Sequence, residues 1–248
     1  ELSILSVVGE NMKKTRGISG KFFSALGKNG INIIAIAQGS SELNISAVIE
    51  RNELSKALNV VHDSLLLSPV KTFNVMFAGT GNIGKELFRQ LEREQRNLEE
   101  NHQIKINVVG ITNSREMKIF DNPESDFDLN NNLNTNLQKS DLKEFINSIS
   151  SKNLPNLVFV DNTSSEDVVA EYSLLFNNNI SIVTCNKKGN SSSYEQYSKF
   201  KRLAKKNNVS ILYETNAGAG LPIIKTLNDL WISGDEILKI EAILSGTI

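Results

Sequence analysis

The segment that most constrains how this chain folds is Gly79-Thr80-Gly81-Asn82-Ile83-Gly84, set between the apolar run Phe73–Ala78 and the amphipathic run Gly84–Leu98. Three glycines at G-x-G-x-x-G spacing between a strand and a helix have separate tasks. The first permits a tight turn, the second lets the backbone approach a pyrophosphate, and the third lets helix and sheet pack closely. The helix start supplies oriented N–H groups for the phosphates, so Asn82 and Ile83 join the glycines as candidate cofactor contacts. Glycine turns are common, and the strand–turn–helix setting is what makes the pattern informative.

After this turn, strands alternate with helices. Strands are expected at 73–78, 104–112, 157–160, 180–184 and 209–214, and helices at 84–98, 142–150, 166–177 and 192–207. The near-continuous apolar run Leu157-Val158-Phe159-Val160 suits a parallel strand covered on both faces. This predicts a Rossmann-like, doubly wound α/β sheet. The Asn- and Asp-rich stretch 121–138 reads as a long surface loop. Beyond Gly220, a helix at 221–231 and a strand at 236–244 begin a further unit.

Ahead of the glycine loop the rhythm differs. Strands at 2–8, 31–37 and 44–50 and helices at 18–28 and 53–67 give β-α-β-β-α, one strand short of the ferredoxin-like α+β unit. The expected division is 1–68 for this unit, 69–72 for a linker, 73–215 for a dinucleotide-binding domain and 216–248 for the start of another.

Composition narrows the function classes. With 27 basic and 28 acidic residues the net charge is -1, so no bulk field favours nucleic acid or an anionic membrane. No apolar run approaches the ~18–20 residues that span a bilayer. The single cysteine, Cys185, cannot form an internal disulfide, and His62 and His102 lie outside metal-ligand spacing. A cytoplasmic setting is expected. Both ends, Glu1 on a strand pattern and Ile248 on an apolar residue, read as cuts in a longer polypeptide.

Further candidates follow the strand ends. Ser114-Arg115 stands where an NAD-binding domain usually carries an acidic ribose anchor; it suits a 2′-phosphate, or Arg115 is a solvated loop cation. Asn162-Thr163 follows the third strand and faces the expected crevice, while Ser164 or Ser165 suits a helix N-cap. In Asn186-Lys187-Lys188-Gly189, Lys187 is expected in the crevice and Lys188 in solvent. Cys185 reads as a buried small hydrophobe rather than a nucleophile. Glu214 followed by Thr215–Leu221 offers a carboxylate and accessible carbonyls, which suits a hard cation or equally a tight hinge before Pro222.

Taken together, Asn186-Lys187-Lys188, Tyr213–Pro222 and Gly234-Asp235-Glu236 through Ser245-Gly246-Thr247 resemble the homoserine dehydrogenase signature in the same order. Ser6-Val7-Val8-Gly9, Arg16-Gly17-Ile18 and 36–42 resemble the ACT regulatory region of aspartate kinase. Both blocks on one chain imply the bifunctional aspartate kinase–homoserine dehydrogenase family. The resemblance implies NADP or NAD as cofactor, aspartate semialdehyde and homoserine as substrates, and a homo-oligomer. It places Gly79, Gly81, Gly84, Thr163 and Lys187 beside the cofactor, with Lys187 also near the reacting carbonyl. A sodium ion would sit on Glu214 and the backbone oxygens of Ala217, Ala219 and Leu221. Gly246 and Thr247 would edge the substrate site, and Gln38 matches a glutamine linked to threonine feedback. The family's kinase domain has no counterpart in these residues, and its proton-donating lysine would fall beyond Ile248. Hydride transfer to a carbonyl needs such a donor, so the chain alone is expected to bind cofactor weakly and to be nearly inactive. The rival reading is a non-catalytic sensor in which the two units bind an amino acid and a dinucleotide.

Overall fold

The computed structural model describes residues 1–10, 12, 15–39, 43–65, 70–124 and 137–243. The first unit runs β1 (Leu2–Val8), α1 (Ile18–Lys28), β2 (Ala35–Gln38), β3 (Asn44–Glu50) and α2 (Leu54–Leu65). Its strands pair antiparallel in the order β1-β3-β2, with Leu2 opposite Glu50 and Ala35 opposite Val48. Among the described residues this is the ferredoxin-like order without its fourth strand. Alternation along β3 turns Ile45, Ala47 and Ile49 onto one face, where they pack with Phe22 and Leu26 of α1 and Ala57, Val60 and Val61 of α2. The strand expected at 31–37 begins only at Ala35. Ile31 is instead held by the end of α1, where its N–H donates to Leu26 O and its side chain is buried.

Gly30 closes α1 with a φ of 72°. A Cβ there would run into the side-chain amide of Asn179, in the second unit. The first unit therefore rests its helix end on the turn that precedes a strand of the larger sheet.

That sheet has seven strands: β4 (Lys71–Ala78), β5 (Ile104–Thr112), β6 (Glu116–Glu124), β7 (Gln138–Lys139), β8 (Leu157–Asp161), β9 (Ser181–Thr184) and β10 (Ile211–Leu212). Their order is β10-β9-β8-β4-β5-β6-β7, with the first five parallel and β6 and β7 antiparallel. The connecting helices are α3 (Asn82–His102), α4 (Leu142–Ser150), α5 (Glu166–Ala170), α6 (Tyr172–Asn177), α7 (Lys188–Ser191) and α8 (Tyr194–Lys206), and α9 (Ile223–Ile232) follows. Val75, Phe77, Val108 and Val160 pack with Phe88 of α3 on one face. Met76, Ala78, Val109 and Phe159 pack with α4, α6 and α8 on the other. Gly110 makes the second packing possible, since a Cβ there would sit 2.7 Å from Ile149 Cδ1 and Phe145 Cε2. The Rossmann-like sheet expected after residue 73 is therefore present, preceded by the α+β unit.

Four local expectations need correction. The surface loop expected from 121 gives way to β6 through Glu124; residues 125–136 lie outside the described set. Met117 and Phe120 anchor that strand on opposite faces. The helix expected at 166–177 breaks at Glu171, and the strand expected at 209–214 shortens to two residues, with Glu214–Asn216 forming a 3-10 turn. Residues 236–243 form no strand. Ile240 and Ile243 are exposed there, and a lone alternating segment has no ladder to join.

Candidate functional site

The chain leaves β4 for β5 on one side and returns to β8 on the other, which opens a crevice at the carboxyl ends of β4 and β8. Ala78, Asp161 and Thr184 end adjacent strands in register. The ladder continues into the loops: the N–H of Asn162 donates to Ala78 O at 2.8 Å and that of Cys185 to Asp161 O at 3.1 Å. The glycine loop, the Asn162-Thr163 turn and the Cys185–Gly189 turn therefore lie side by side.

Each glycine has a distinct steric reason. Gly79 has a φ of 96°, and a Cβ on it would lie 3.0 Å from the carbonyl of Asn162. A Cβ on Gly84 would collide with the Gly79 carbonyl oxygen, so strand end and helix touch backbone to backbone. A Cβ on Gly81 would meet nothing within 4 Å, so that position borders open space. Asn82 and Ile83 begin α3 and are exposed; α3 has no acidic residue in its first turn and no side-chain cap. Its first N–H groups remain available to an anion.

At the end of β5, Asn113 Oδ1 accepts from the N–H groups of Arg115 (2.8 Å) and Glu116 (3.0 Å), folding Ser114 and Arg115 into an exposed turn. The Asn113 amide also reaches Thr80 Oγ1 at 3.5 Å, beside the glycine loop.

The least expected feature is a buried polar network under the crevice floor. The carboxylate of Asp161, fully buried, accepts at Oδ1 from the Thr163 N–H (2.8 Å) and hydroxyl (2.7 Å). Its Oδ2 accepts from the Tyr172 hydroxyl (2.7 Å) and the Asn186 amide (3.0 Å). Asn186 also donates to Ser165 O at 2.9 Å, and its Oδ1 accepts the Lys188 N–H at 3.1 Å. Burial first, and the Asp161 charge second, push the Tyr172 phenol well above its usual value, so it stays a donor. The sequence marked Asn186 only as part of a motif and did not mark Asp161, Tyr172 or Thr184. An Asp closing an apolar strand was the visible signal for the first.

The other candidates sort as follows. Ser165, not Ser164, caps α5 by accepting from the Asp167 N–H at 3.2 Å. Lys188 pairs with Glu166 at 2.9 Å, while Lys187 is exposed with no carboxylate paired to it among the described residues. Cys185 is half-buried rather than buried, and burial, then the Asp161 charge, raises its thiol pKa. A raised pKa leaves less thiolate at neutral pH, so Cys185 should react with iodoacetamide more slowly than an exposed cysteine, its rate climbing only at high pH. Fast alkylation at pH 7 would contradict this.

In the Glu214–Leu221 loop, Glu214 Oε2 accepts the Lys225 N–H at 2.9 Å, while Glu214 Oε1 and Asn216 Oδ1 are buried without a partner among the described residues. Positive φ angles at Gly218 (71°) and Ala219 (52°) bend the chain between Ala217 and Leu221. Gln38 is exposed at the end of β2, in the sheet of the first unit. Gly246 and Thr247 lie outside the described residues.

Strand, glycine loop, helix and switch-point crevice together define a Rossmann-type dinucleotide-binding domain, here preceded by a ferredoxin-like module. The family model for the ACT domain matches residues 5–65, and that for the homoserine dehydrogenase NAD binding domain matches residues 79–214, more than half of the chain. The chain belongs to the homoserine dehydrogenase family through this NAD-binding domain. It is 38% identical over 247 residues to the bifunctional aspartokinase/homoserine dehydrogenase of Buchnera aphidicola, covering 100% of this chain and 30% of the relative. The Haemophilus influenzae protein of the same description is 39% identical over 248 residues, again covering 100% and 30%. The chain thus spans about a third of the length of these relatives. A hyperthermophilic archaeal homoserine dehydrogenase in complex with NADPH shares the fold, with a TM-score of 0.50 at 24% identity over 63% of this chain and 48% of that one. Among the described residues, no helix is long and apolar enough to cross a membrane.

Proposed function

We propose that this chain supplies the cofactor-binding part of a homoserine dehydrogenase that interconverts aspartate semialdehyde and homoserine with NAD(P)H. The observation carrying this reading is the glycine loop: Gly79 and Gly84 meet backbone to backbone while Gly81 faces open space, a cradle that a pyrophosphate fits. In this reading residues 73–215 bind the cofactor, 216–248 begin the catalytic and dimerisation unit, and 1–68 regulate. Gly79, Gly81, Asn82, Ile83 and Gly84 hold the pyrophosphate. Ser114 and Arg115 take the adenosine ribose and favour NADP. Asn162, whose buried Nδ2 lacks a partner among the described residues, and Thr163 face the nicotinamide end. Lys187 stands by the reacting carbonyl, with Gly246 and Thr247 at the substrate's edge.

A bound dinucleotide would supply the hydride, and the glycine loop, the Asn162-Thr163 turn and the Lys187 turn would position it. Glu214, with backbone oxygens of Ala217, Ala219 and Leu221, would hold a sodium ion. The unpartnered Glu214 Oε1 fits a hard cation, and Asn216 Oδ1 offers a further oxygen. Threonine would act through Gln38, and the assembled protein would be a cytoplasmic homo-oligomer.

One assay tests these points together. NADPH oxidation by aspartate semialdehyde is followed for this chain and for one continued beyond Ile248, with and without sodium and threonine. Turnover is expected only in the longer chain, raised by sodium and lowered by threonine. NADPH binding without turnover in either chain would sink the dehydrogenase reading and leave the sensor. Indifference to sodium or threonine would remove that ligand alone.

A further inference from the structure

One unbroken helix was expected from 166 to 177, yet α5 ends at Ala170 and α6 starts at Tyr172. Val169, Tyr172, Leu175 and Phe176 keep helical spacing across the break and are all inside the core, with the Tyr172 ring 5.5 Å from that of Phe200.

The phenol end of Tyr172 meets the crevice floor at three points. Its oxygen lies 2.7 Å from Asp161 Oδ2 and 2.9 Å from Thr184 Oγ1. A phenol has one proton, and the ionised carboxylate is the stronger acceptor, so the Thr184 hydroxyl is left to donate back to the Tyr172 oxygen. Thr184 Oγ1 in turn accepts the Asn186 N–H at 2.9 Å. The edge of the ring abuts Gly189, where an added Cβ would lie 3.1 Å from Tyr172 Cε2. Tyr172 thus braces the chain on both sides of Lys187: at Asn186 through hydroxyls and at Gly189 through the ring. Through Asp161 it also fixes Thr163, and the Asn186 carbonyl accepts from the Asn216 amide at 3.3 Å, so the brace reaches the Glu214 loop as well.

We propose that Tyr172 is a positioning residue for the nicotinamide end of the crevice, holding the Thr163 turn and the Lys187 turn at a fixed separation. This rests on the cofactor reading above. Tyr172 touches neither substrate nor cofactor in this assignment; it acts through Asp161, Thr184, Asn186 and Gly189. Among the described residues, the Asn113–Arg115 turn shares no hydrogen bond with Tyr172, Asp161, Thr184 or Asn186, and the glycine loop meets this network only where Gly79 packs on the Asn162-Thr163 turn. Its removal therefore affects one end of the dinucleotide and spares the other, a pattern that general loosening of the fold would not give.

The test is Tyr172→Phe in this chain, with binding measured for two ligands: NADPH, and 2′-phospho-ADP-ribose, which lacks the nicotinamide. Loosening the two turns is expected to weaken NADPH binding about tenfold. The rise in nicotinamide fluorescence on binding should shrink, and the nicotinamide-free fragment should bind within about twofold of the unaltered chain. Thr184→Val removes the bridging hydroxyl at nearly constant shape and is expected to give the same split, so it carries the test if Tyr172→Phe fails to fold. Equal loss for both ligands, or unchanged NADPH binding in a folded variant, would overturn the assignment. An unaltered chain that binds the fragment but gains nothing from the nicotinamide would overturn it too. An unaltered chain that binds neither ligand removes the cofactor reading itself, and the proposal with it.

Discussion

Gly84→Ala is expected to abolish measurable dinucleotide binding and to destabilise the chain, whereas Gly81→Ala should abolish binding alone. The Cβ added at Gly84 would occupy the space of the Gly79 carbonyl oxygen, so α3 must back away from β4. Overpacking of this kind costs about 1–3 kcal/mol. It also withdraws the helix N–H groups from the phosphates, and displacements of about 1 Å at a binding centre cost on the order of a hundredfold. At Gly81 the added methyl has nothing within 4 Å to strike, and the backbone there has an ordinary φ of -74°. Its only effect is to fill the cradle. Thermal unfolding and NADPH titration of both variants separate the two cases. A Gly84→Ala chain that melts and binds like the unaltered one would show that the close helix–strand contact does not exist in solution.

Asp161→Ala should give the largest loss of stability of any single substitution near the crevice. The aspartate is fully buried and its two oxygens gather four donors: the Thr163 N–H and hydroxyl, the Tyr172 hydroxyl and the Asn186 amide. Each buried donor left without a partner costs about 1–3 kcal/mol, and allowing for partial rearrangement the total comes to about 3–5 kcal/mol. In a chain of this size that corresponds to a fall of roughly 10 °C in melting temperature. Asp161→Asn keeps one acceptor oxygen and should fall between. A melting temperature unchanged in the alanine variant would mean that the donors find water or other partners, and the network would lose its structural importance.

What was legible in the sequence is what depends on neighbouring residues. The glycine loop is six consecutive residues, two of them, Gly79 and Gly84, constrained by backbone geometry, and it stands where expected. Ser165 lies at the start of its helix, and the Lys188–Glu166 pair joins neighbouring turns. Less visible was β6. Its reversal depends on the Asn113 side chain accepting two backbone N–H groups, and Glu116 and Lys118 mask the apolar Met117 and Phe120. The Asp161 network joins residues 11, 23 and 25 positions apart, so no local pattern could assemble it. Tyr172 read as one more apolar position on a helix, because nothing in its neighbourhood announced the break at Glu171.

Gly30 seats the first unit against Asn179 of the second. Asn179 precedes β9 and Lys71 begins β4, so the first unit leans on the amino end of the sheet, while the glycine loop and its neighbours hang from the carboxyl end. An eight-residue strand such as β4 measures roughly 25 Å. The Gly30 seat and the glycine loop therefore stand at opposite ends of the strands. A side chain at position 30 would have to displace the Asn179 amide while straining a backbone with a φ of 72°, so a change at this seat enters the sheet from the end remote from the crevice.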